Sequence, residues 1–452
     1  MPNEAGPEDL SDDDIDVTPT RALFVEMLTR DIHLDRAVLD LVDNSVDGAK
    51  RLRPKDTDDF DGLEIRILLD GTRFSISDNC GGIGIDIAKR YAFRFGRAKG
   101  MTATPGSVGQ FGVGMKRALF KFGHRFSVVS TTVDDRFTLS VDVDAWEQEE
   151  GPWRFTFENS DSGLDIPVGA TGTEIVVTPL RHDASAQFNS TIFQNNLARQ
   201  IEAAQQEYIG RKLSISVNGR ALMASAWELI RGGGLEPFYH QDEVTVPQGG
   251  TVRRRIYAGI GASSPQAAGW YVFCNGRMVL AADQTRTTGW ERGEDDQTVT
   301  MPKFHGQFAR FRGHVFLDAD DASLLPWNTT KTGVDVDTDV WRSTYSAMRS
   351  SMRPVINFLN KLDAEKEHAD DEKPLTSALR GAFLQPLRSI VRPQLFAAPA
   401  PRAVTKRLRT SSIQFSRPAS QVDALKEALD CTTNVELGGY LFDIAYEEHV
   451  EE

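Results

Sequence analysis

The sequence predicts an α+β chain in which helices stack on one face of a sheet. From Thr18 to about Leu180, helical stretches and strand-like runs interleave without the strict spacing of βαβ units. A second mixed segment runs from Lys212 to about Val336. The chain has 452 residues, 40% of them hydrophobic and 26% charged, which is long enough for about two to three globular domains.

The predicted elements follow the periodicity of the apolar residues, which recur every three or four positions in helices and alternate in strands. In chain order the pattern predicts helices at 21–30 and 34–52, strands at 63–69 and 73–77, a glycine-rich region at 81–114, a helix at 115–122, and strands at 124–132, 136–143, 153–157 and 174–179. It then predicts a polar-faced helical stretch at 187–210, strands at 213–217, 252–258, 270–274 and 313–317, a helix at 339–362, a strand at 412–415, and helices at 420–429 and 435–448.

Changes in composition divide the chain into six predicted segments. The first 17 residues carry seven acids and few large apolar side chains, so we expect a disordered tail there. Prolines and alanines that follow a charged run after the long helix indicate a linker. The segments are an acidic tail at 1–17, a first domain at 18–182, a second domain at 183–345, a helical connector at 346–372, a basic Pro/Ala-rich linker at 373–410 and a small C-terminal α/β module at 411–452.

Composition also argues against several classes of protein. No window approaches the roughly 18 consecutive apolar residues of a membrane-spanning helix, and the acidic start is unlike a signal peptide. Cys80, Cys274 and Cys431 match no zinc or disulfide spacing, so we expect a reducing, cytoplasmic location. The net charge of −14 argues against a uniformly basic nucleic-acid-binding surface, although not against a local basic patch.

The first chemical signal is the run DLVDNSVDGA, residues 40–49, on the second predicted helix. Asp40, Asn44 and Asp47 are four and three residues apart, so they share one face of that helix. An amide oxygen that ligates a cation, beside a carboxylate that holds a water molecule, suits a hydrated metal ion. A solvated helix face also explains this run when it is taken alone.

The second signal is DNCGGIG, residues 78–84, which follows a strand-like run directly. A carboxylate at Asp78 can accept a hydrogen bond from an exocyclic amine, and the glycines after it let a flat ring approach the backbone. Asp-Asn before Gly is also ordinary turn chemistry, so a hairpin turn is the alternative interpretation.

The third signal is GSVGQFGVGMK, residues 106–116, which runs into a predicted helix. Glycines at a helix start expose backbone N–H groups that can bind phosphates, although the run does not match a P-loop. A flexible connector is the alternative. A fourth and weaker signal is Gly172-Thr173 at the start of a strand, where the threonine hydroxyl could reach a base or its bound water.

Together, in this order and spacing, the four signals resemble the nucleotide-binding domain of the GHKL (Bergerat-fold) ATPases. This family includes gyrase B, the large heat-shock chaperone, MutL, Microrchidia proteins and histidine kinases. The resemblance covers residues 18–180, and the runs DLVDNSVDGA and GQFGVGMK are most similar to those of Microrchidia and MutL proteins. It implies a two-layer α/β sandwich that binds ATP and Mg²⁺, followed by a transducer-type α/β domain.

The sequence departs from the family pattern at two positions. The usual general base of the family is Glu, whereas this chain has Asp40, which is one methylene shorter and implies slow hydrolysis. Cys80 occupies the place of the first glycine of the adenine-binding motif, and its side chain is small enough to be tolerated there.

The resemblance implies a role for each matching residue. Asp40 would polarise the attacking water and Asn44 would ligate Mg²⁺, while Asp47 has either a nucleotide-binding or a structural role. Asp78 would accept from the adenine amino group, Gly82 would admit the ring, and Thr173 would support the Asp78–adenine contact. The phosphates would be wrapped by the loop, with Lys116 nearby; its residues are Gly109, Gln110, Phe111, Gly112, Val113 and Gly114.

A loop beyond the first domain, PWNTTKTG at 326–333, contains a further candidate. In gyrase B, MutL and Microrchidia proteins a lysine in such a loop reaches from the transducer domain to the γ-phosphate, and Lys331 resembles that lysine. A surface lysine is the alternative. Because members of this branch close as homodimers when they bind ATP, the resemblance implies a nucleotide-gated clamp or switch.

The stretch 373–422 contains nine basic residues and no acidic one. It could follow the phosphate backbone of duplex DNA, or it could bind a protein or an acidic part of this chain. The leading hypothesis is therefore a Microrchidia-like ATPase that acts on DNA or on a DNA-processing partner in genome maintenance or defence against foreign DNA. The alternatives are a chaperone-like or signalling ATPase that acts on proteins and an ATP-sensing scaffold without hydrolysis.

Overall fold

The structure is a computed structural model that describes residues 19–53, 59–94, 107–108, 114–247, 249–290, 301–328, 330–367, 373–400 and 413–450. The chain forms two compact units, one that ends at Pro401 and one that begins at Arg402. The predicted acidic tail at 1–17 lies outside the described residues. Within the described part of the chain, no helix is both long and apolar enough to span a membrane.

An eight-stranded sheet forms the first layer of the larger unit. Its strands follow the order β5-β4-β3-β6-β2-β1-β7-β8, and β1 and β7 form its parallel pair. The bounds are β1 Glu64–Leu69, β2 Phe74–Asp78, β3 Arg125–Thr131, β4 Asp135–Asp142, β5 Phe157–Ser162, β6 Gly172–Val177, β7 Ser214–Val217 and β8 Arg220–Ala221. Because β7 and β8 belong to this sheet, it continues beyond the predicted first-domain boundary at residue 182.

Helices cover one face of this sheet. Along β1 the buried side chains of Ile65, Ile67 and Leu69 alternate with exposed ones, which is the pattern of a strand that packs on one side. These isoleucines and leucine share one core with the apolar faces of the helices. The helices are α1 Arg21–Arg30, α2 Leu34–Leu52, α3 Ile85–Ile87, α4 Gly114–Phe122, α5 Val143–Gln148, α6 His182–Phe188, α7 Thr191–Ala204 and α8 Gln206–Ile209; a π-helical turn, Ala88–Ala92, follows α3.

One strand of this layer differs from the prediction. The pattern Trp153, Phe155, Phe157 predicts a strand at 153–157, but the strand β5 begins only at Phe157. Trp153 and Phe155 instead pack edge-on or tilted against Trp146 of α5, with ring centroids 5.6 and 5.4 Å from that of Trp146. Here the alternation of aromatic residues reflects burial against a helix. The same alternation is found in strands, so sequence periodicity cannot separate the two cases.

A five-stranded sheet follows in the same unit, with the order β10-β11-β14-β12-β13. A two-stranded ribbon of β9 and β15 accompanies it. The bounds are β9 Glu228–Arg231, β10 Phe238–Thr245, β11 Thr251–Ile260, β12 Gly269–Cys274, β13 Arg277–Asp283, β14 Phe311–Asp318 and β15 Phe383–Pro386. Every residue of β12 is buried, because this sheet is covered on both faces.

The two faces of the second sheet have different cores. The long helix α9, Asp339–Ala364, packs on one face with Trp270 and Val315. The other face carries an aromatic core that includes Tyr271 and Phe316. A sheet enclosed in this way explains why β12 shows a continuous apolar run rather than an alternating one.

The structure differs from the predicted linker over residues 373–400, which pack in the larger unit. The helix α10, Pro374–Arg380, buries Leu375 in the core that contains α9. The strand β15 pairs with β9, and the turn after it buries Leu387 and Ile390 against the aromatic core. Pro374 begins α10 and Pro386 ends β15, so prolines at the ends of packed elements give this segment a composition that resembles a linker.

The smaller unit contributes two helices to the described residues, α11 Ala419–Ala428 and α12 Asn434–His449. A capping box of Thr433 and Glu436 begins α12, because each side chain accepts from the backbone N–H of the other residue. Residues 413–415 form no strand, unlike the predicted 412–415. Overall, the structure confirms the predicted α+β class, with a helix-covered sheet followed by a further α/β region.

His314 makes the stability of the second sheet depend on pH. It is fully buried on β14, where its ring stacks on Tyr271 with centroids 5.1 Å apart. Burial, together with the nearby charge of Arg312, lowers the pKa of His314 from 6.5 to about 3. The folded chain therefore binds fewer protons than the unfolded chain below pH 6.5, so stability is present above that pH and is lost as the pH falls toward 3.

We expect acidification from neutral pH to about pH 5 to cost the protein about 2 kcal/mol through His314, at about 1.4 kcal/mol per pKa unit. The measurement is the free energy of unfolding in urea at both pH values. The His314→Phe variant keeps an aromatic ring in the stack but cannot take up a proton, so it should lose about 2 kcal/mol less than the wild type. Equal losses in the two proteins would contradict this assignment.

Candidate functional site

Helix α2 carries a partly exposed acid, Asp40, and an exposed amide, Asn44. Asn44 is the exposed residue of the run Leu41–Ala49, in which all the other residues are buried. Asp40 lies one turn earlier, with its side chain 15% exposed. The Asn44 side chain does not pack in the core, unlike its neighbours in this run. It is therefore available to a ligand.

The start of α4 lies directly against Asp40. A Cβ atom added to Gly114 would stand 2.9 Å from Asp40 Oδ2, so a larger residue at this position would displace the Asp40 carboxylate. From the next residues of the same helix, Arg117 donates to Asp40 Oδ2 over 3.2 Å. The carboxylate of Asp40 is thus held between the first turn of α4 and its own helix.

Lys331 reaches Asp40 from the loop between β14 and α9. Its side chain is 6% exposed, and its Nζ atom lies 3.5 Å from Asp40 Oδ1 and 2.7 Å from Asp43 Oδ2. Burial alone lowers the pKa of Lys331, but the charges of Asp43 and Asp40 outweigh this effect and raise it. The lysine is therefore a charged member of the site rather than a surface residue, although 291 positions separate it from Asp40.

Asp78 lies at the end of β2 and is surrounded by donors. Its Oδ2 accepts from Ser45 Oγ at 2.6 Å, and its Oδ1 accepts from the backbone N–H groups of Cys80 and Thr173 at 2.9 and 3.3 Å. Burial raises the pKa of this carboxyl group, against the opposing effect of these hydrogen bonds. Because a carboxylate oxygen has two lone pairs, Oδ2 can still accept a hydrogen bond from a ligand amine.

The glycines around Asp78 are explained by backbone contacts. Gly82 has φ +70°, and an added Cβ would come closer to the Thr131 carbonyl oxygen than real Cβ atoms do. On the other side, a Cβ at Gly48 of α2 would stand 2.6 Å from the Cys80 carbonyl oxygen. The loop 78–84 therefore packs tightly between α2 and β3. This packing explains why residue 82 is a glycine, in addition to its predicted role of admitting a ring.

Thr173 faces the same corner from β6. Its backbone N–H donates to Asp78, and its hydroxyl lies 3.3 Å from Ser130 Oγ, which in turn accepts from the Ile83 N–H at 2.7 Å. Strands β2, β3 and β6 thus converge on the loop 78–84. The predicted support of an adenine contact by Thr173 stays a prediction.

Lys116 lies elsewhere than its predicted role would require. Its side chain is buried in α4, and its Nζ donates to the carbonyl oxygens of Ala92 and Arg94 at 2.8 and 2.6 Å. Burial lowers the pKa of Lys116 to about 8. It therefore supports the turn that ends at residue 94, and two of its three N–H donors are directed at that turn.

Asp47 accepts a hydrogen bond from the backbone of the glycine-rich run, residues 106–116. It is buried, and its Oδ1 accepts from the Val108 N–H at 2.7 Å. Val108 is itself fully buried in the core of the second sheet, and Asn275 donates to the carbonyl oxygen of Ser107 at 3.0 Å. Two roles were expected for Asp47, nucleotide binding or structural. This contact supports the structural role. The predicted loop residues Gly109, Gln110, Phe111, Gly112 and Val113 lie outside the described residues.

The sequence did not point to several residues of this site. Asp43 is fully buried between Asp40 and Asn44, and Ser45 donates to Asp78 from the other side of α2. Arg117 and Arg277 bring further positive charge from α4 and β13. Asp43 and Ser45 lie within the run DLVDNSVDGA that the sequence analysis singled out, but their partners depend on the tertiary fold.

The residues fit a purine nucleotide with a divalent cation. The buried Asp78 can accept from an amine at one end, while Asn44 lies on α2 with Asp40, which is contacted by Arg117 and Lys331 from other elements. Among the described residues no three His, Cys, Asp or Glu side chains form a group that could hold a metal. A cation held by the single amide of Asn44 would therefore take its other ligands from phosphate oxygens and water.

Residues 32–160 match the family model described as histidine kinase-, DNA gyrase B- and HSP90-like ATPase. The match covers less than a third of the chain and includes α2, the loop 78–84 and α4. It supports a GHKL-type ATPase domain over these residues. No curated protein matches the chain.

Proposed function

From the match of residues 32–160 to the GHKL ATPases, we propose that the chain is a Mg²⁺-dependent ATPase of the Microrchidia/MutL type with slow turnover. The observation that carries this proposal is the reach of Lys331 to the carboxylate of Asp40. A cation that crosses from a distant loop to the acid beside Asn44 places positive charge where the terminal phosphate would bind. Phosphoryl transfer depends chiefly on such positioning and charge neutralisation.

Each side chain has a defined task in this proposal. Asp40 orients the attacking water and accepts its proton, and Asn44 holds Mg²⁺, which neutralises phosphate charge when bound. Asp78 accepts from the adenine amino group, with Thr173 beside it. Lys331 pairs with the terminal phosphate and so distinguishes ATP from ADP.

We also propose that ATP binding closes a homodimer and that the closed form acts on DNA or on a DNA-processing partner in the cytoplasm. Part of the support is the basic stretch 373–422, in which Arg380, Arg392 and Arg417 are exposed. Arg388 is engaged instead by Glu207, whose backbone carbonyl accepts from it at 3.0 Å. Genome maintenance or defence against foreign DNA is the process that such a clamp would serve.

One observation favours a second candidate, an ATP-sensing switch that does not hydrolyse. Asp40 is shorter than glutamate and already faces two cations, Arg117 at 3.2 Å and Lys331 at 3.5 Å. Each carboxylate oxygen of Asp40 therefore has a cation beside it, so an attacking water has to compete with these cations for the carboxylate. The switch would bind ATP and change state without turnover.

The test of the proposed function is steady-state ATP hydrolysis by the full chain at low salt, with Mg²⁺ or with chelator, and with or without duplex DNA. Mg²⁺-dependent turnover that DNA stimulates would support the DNA-acting ATPase. Turnover that ignores DNA would favour a protein partner. Tight ATP binding without turnover would favour the switch, and failure to bind ATP would contradict both candidates.

The basic stretch makes a separate prediction about salt. We expect the triple variant Arg380→Gln/Arg392→Gln/Arg417→Gln to bind duplex DNA more weakly. The slope of log affinity against log salt should become less steep by about 2 to 3, since each lost phosphate contact reduces its magnitude by about 0.9. The control replaces three exposed arginines outside the stretch, Arg30, Arg73 and Arg154, with glutamine. Equal slopes for the two variants would exclude these three arginines as contacts to DNA phosphates.

A further inference from the structure

Asp43 is the most completely enclosed charge of the site. Its side chain is 0% exposed, on α2 between the residues proposed as base and metal ligand. Oδ1 accepts from Gln205 Nε2 at 2.6 Å and lies 3.3 Å from Arg277 Nε, while Oδ2 accepts from Lys331 Nζ at 2.7 Å. The partners come from the segment after α7, from β13 and from the loop before α9. One carboxylate therefore joins α2 to three distant parts of the chain.

The charges of this cluster do not balance among the described side chains. Asp40 and Asp43 supply two negative charges, and Lys331, Arg277 and Arg117 supply three positive ones. Arg277 is 3% exposed, and its Nη1 atom is buried without a hydrogen-bond partner among the described residues. Burial alone raises the pKa of Asp43, but the charges of Arg277 and Lys331 bring it below the ordinary value. The surplus of one positive charge, counted with the partly exposed Arg117, suits an anionic ligand.

The distances show how Lys331 is shared between the two acids. Its Nζ atom lies 2.7 Å from Asp43 but 3.5 Å from Asp40. A lysine ammonium is a point charge on a flexible stem, so without Asp43 it would move onto the remaining carboxylate. Asp40 Oδ1 would then be in direct contact with the ammonium group and would no longer be open to an attacking water.

We propose that Asp43 is a positioning residue for ATP hydrolysis, which holds Lys331 at 3.5 Å from Asp40 and so keeps the lysine from closing onto the carboxylate that acts on water. The inference rests on the proposed ATPase function. Asp43 touches neither substrate nor metal in this role and acts only through Lys331, with Arg277 and Gln205 fixing its own orientation.

The test is a double-mutant cycle on the full chain, with kcat and KM for Mg-ATP measured for each protein. We expect Asp43→Asn to lower kcat at least about 10-fold and to leave KM within about threefold, since the phosphate-binding cations remain. In the Lys331→Met background the same substitution should change kcat by less than about twofold. A carboxylate with a merely structural role would lower activity by the same factor in both backgrounds.

Two further variants keep the test decisive if Asp43→Asn folds poorly. Gln205→Leu removes one donor to Asp43 and leaves all charges in place, so we expect a several-fold loss of kcat that also disappears with Lys331→Met. Glu365→Gln is the matched control for loss of a buried acid elsewhere, because Glu365 accepts from the Leu375 and Thr376 N–H groups at 3.0 Å. Glu365→Gln should leave kcat unchanged once folded protein is compared.

The outcomes separate the two proposals. If the wild type shows no turnover, the ATPase proposal fails and the role of Asp43 in hydrolysis fails with it. If the wild type hydrolyses ATP but the effect of Asp43→Asn is additive with that of Lys331→Met, or falls on KM instead of kcat, the positioning role alone is overturned. Turnover together with a non-additive loss of kcat supports both.

Discussion

Replacing Asp40 with asparagine is expected to lower kcat for ATP hydrolysis at least about 100-fold while nucleotide affinity changes by less than about threefold. Loss of a positioned general base typically costs a factor of about 100 to 10,000. Asparagine preserves the shape of the side chain and can still accept from Arg117, which lies 3.2 Å from Asp40 Oδ2. It cannot take a proton from water, so binding should survive the substitution and turnover should not.

The measurements are steady-state hydrolysis and direct binding of Mg-ATP to the same preparations. Asp40→Glu restores the usual acid of the family and is expected to retain turnover, which separates loss of the proton acceptor from disturbance of the helix. Asp35→Asn, in the first turn of α2, controls for removal of an acid from that helix. An Asp40→Asn protein as active as the wild type would assign the base to another residue.

Replacing Gly82 with alanine is expected to destabilise the larger unit by about 4 kcal/mol. Two effects add: a non-glycine residue at φ +70° costs about 1 to 2 kcal/mol, and the new Cβ meets the Thr131 backbone in a tightly packed turn, which costs up to about 3 kcal/mol. Because the obstructing atom belongs to the backbone of a central strand, it cannot move aside as a flexible side chain would.

Gly62→Ala provides the matched control for this prediction. Gly62 has φ +81°, and an added Cβ there would have nothing within 4 Å, so this variant should show only the backbone cost of about 1 kcal/mol. The free energy of unfolding in urea measures both. Equal losses in the two variants would mean that the turn at 82 relaxes away from β3 and that the close packing described here is not essential.

The elements of the fold were largely predictable because they depend on local periodicity. Helix α2 was predicted at 34–52 and is observed at Leu34–Leu52, since its apolar positions recur at helical spacing. The second sheet was only partly predicted. Its strands β10 and β13 and the ribbon strands β9 and β15 were not among the predicted elements, because they are short or irregular in pattern and are stabilised by contacts with other strands.

Lys116 shows why a motif predicts position better than it predicts contacts. The sequence placed it at the start of a helix after a glycine-rich run, and α4 begins there at Gly114. The direction of its side chain depends on what packs around that helix. Here its Nζ atom donates to the carbonyl oxygens of Ala92 and Arg94. Spacing along a chain carries no information about such partners.

The sequence by itself determined the α+β class, the course of α2 with Asp40 and Asn44 on it, and the turn that follows Asp78. These follow from helical periodicity and turn chemistry within a few residues. Only the tertiary structure decided that Lys331, Arg277 and Gln205 meet at Asp43, because a buried carboxylate needs several donors at once and no local segment supplies them. The acids of α2 lie in one short run of sequence, whereas the charges that orient them come from parts of the chain that only folding brings together.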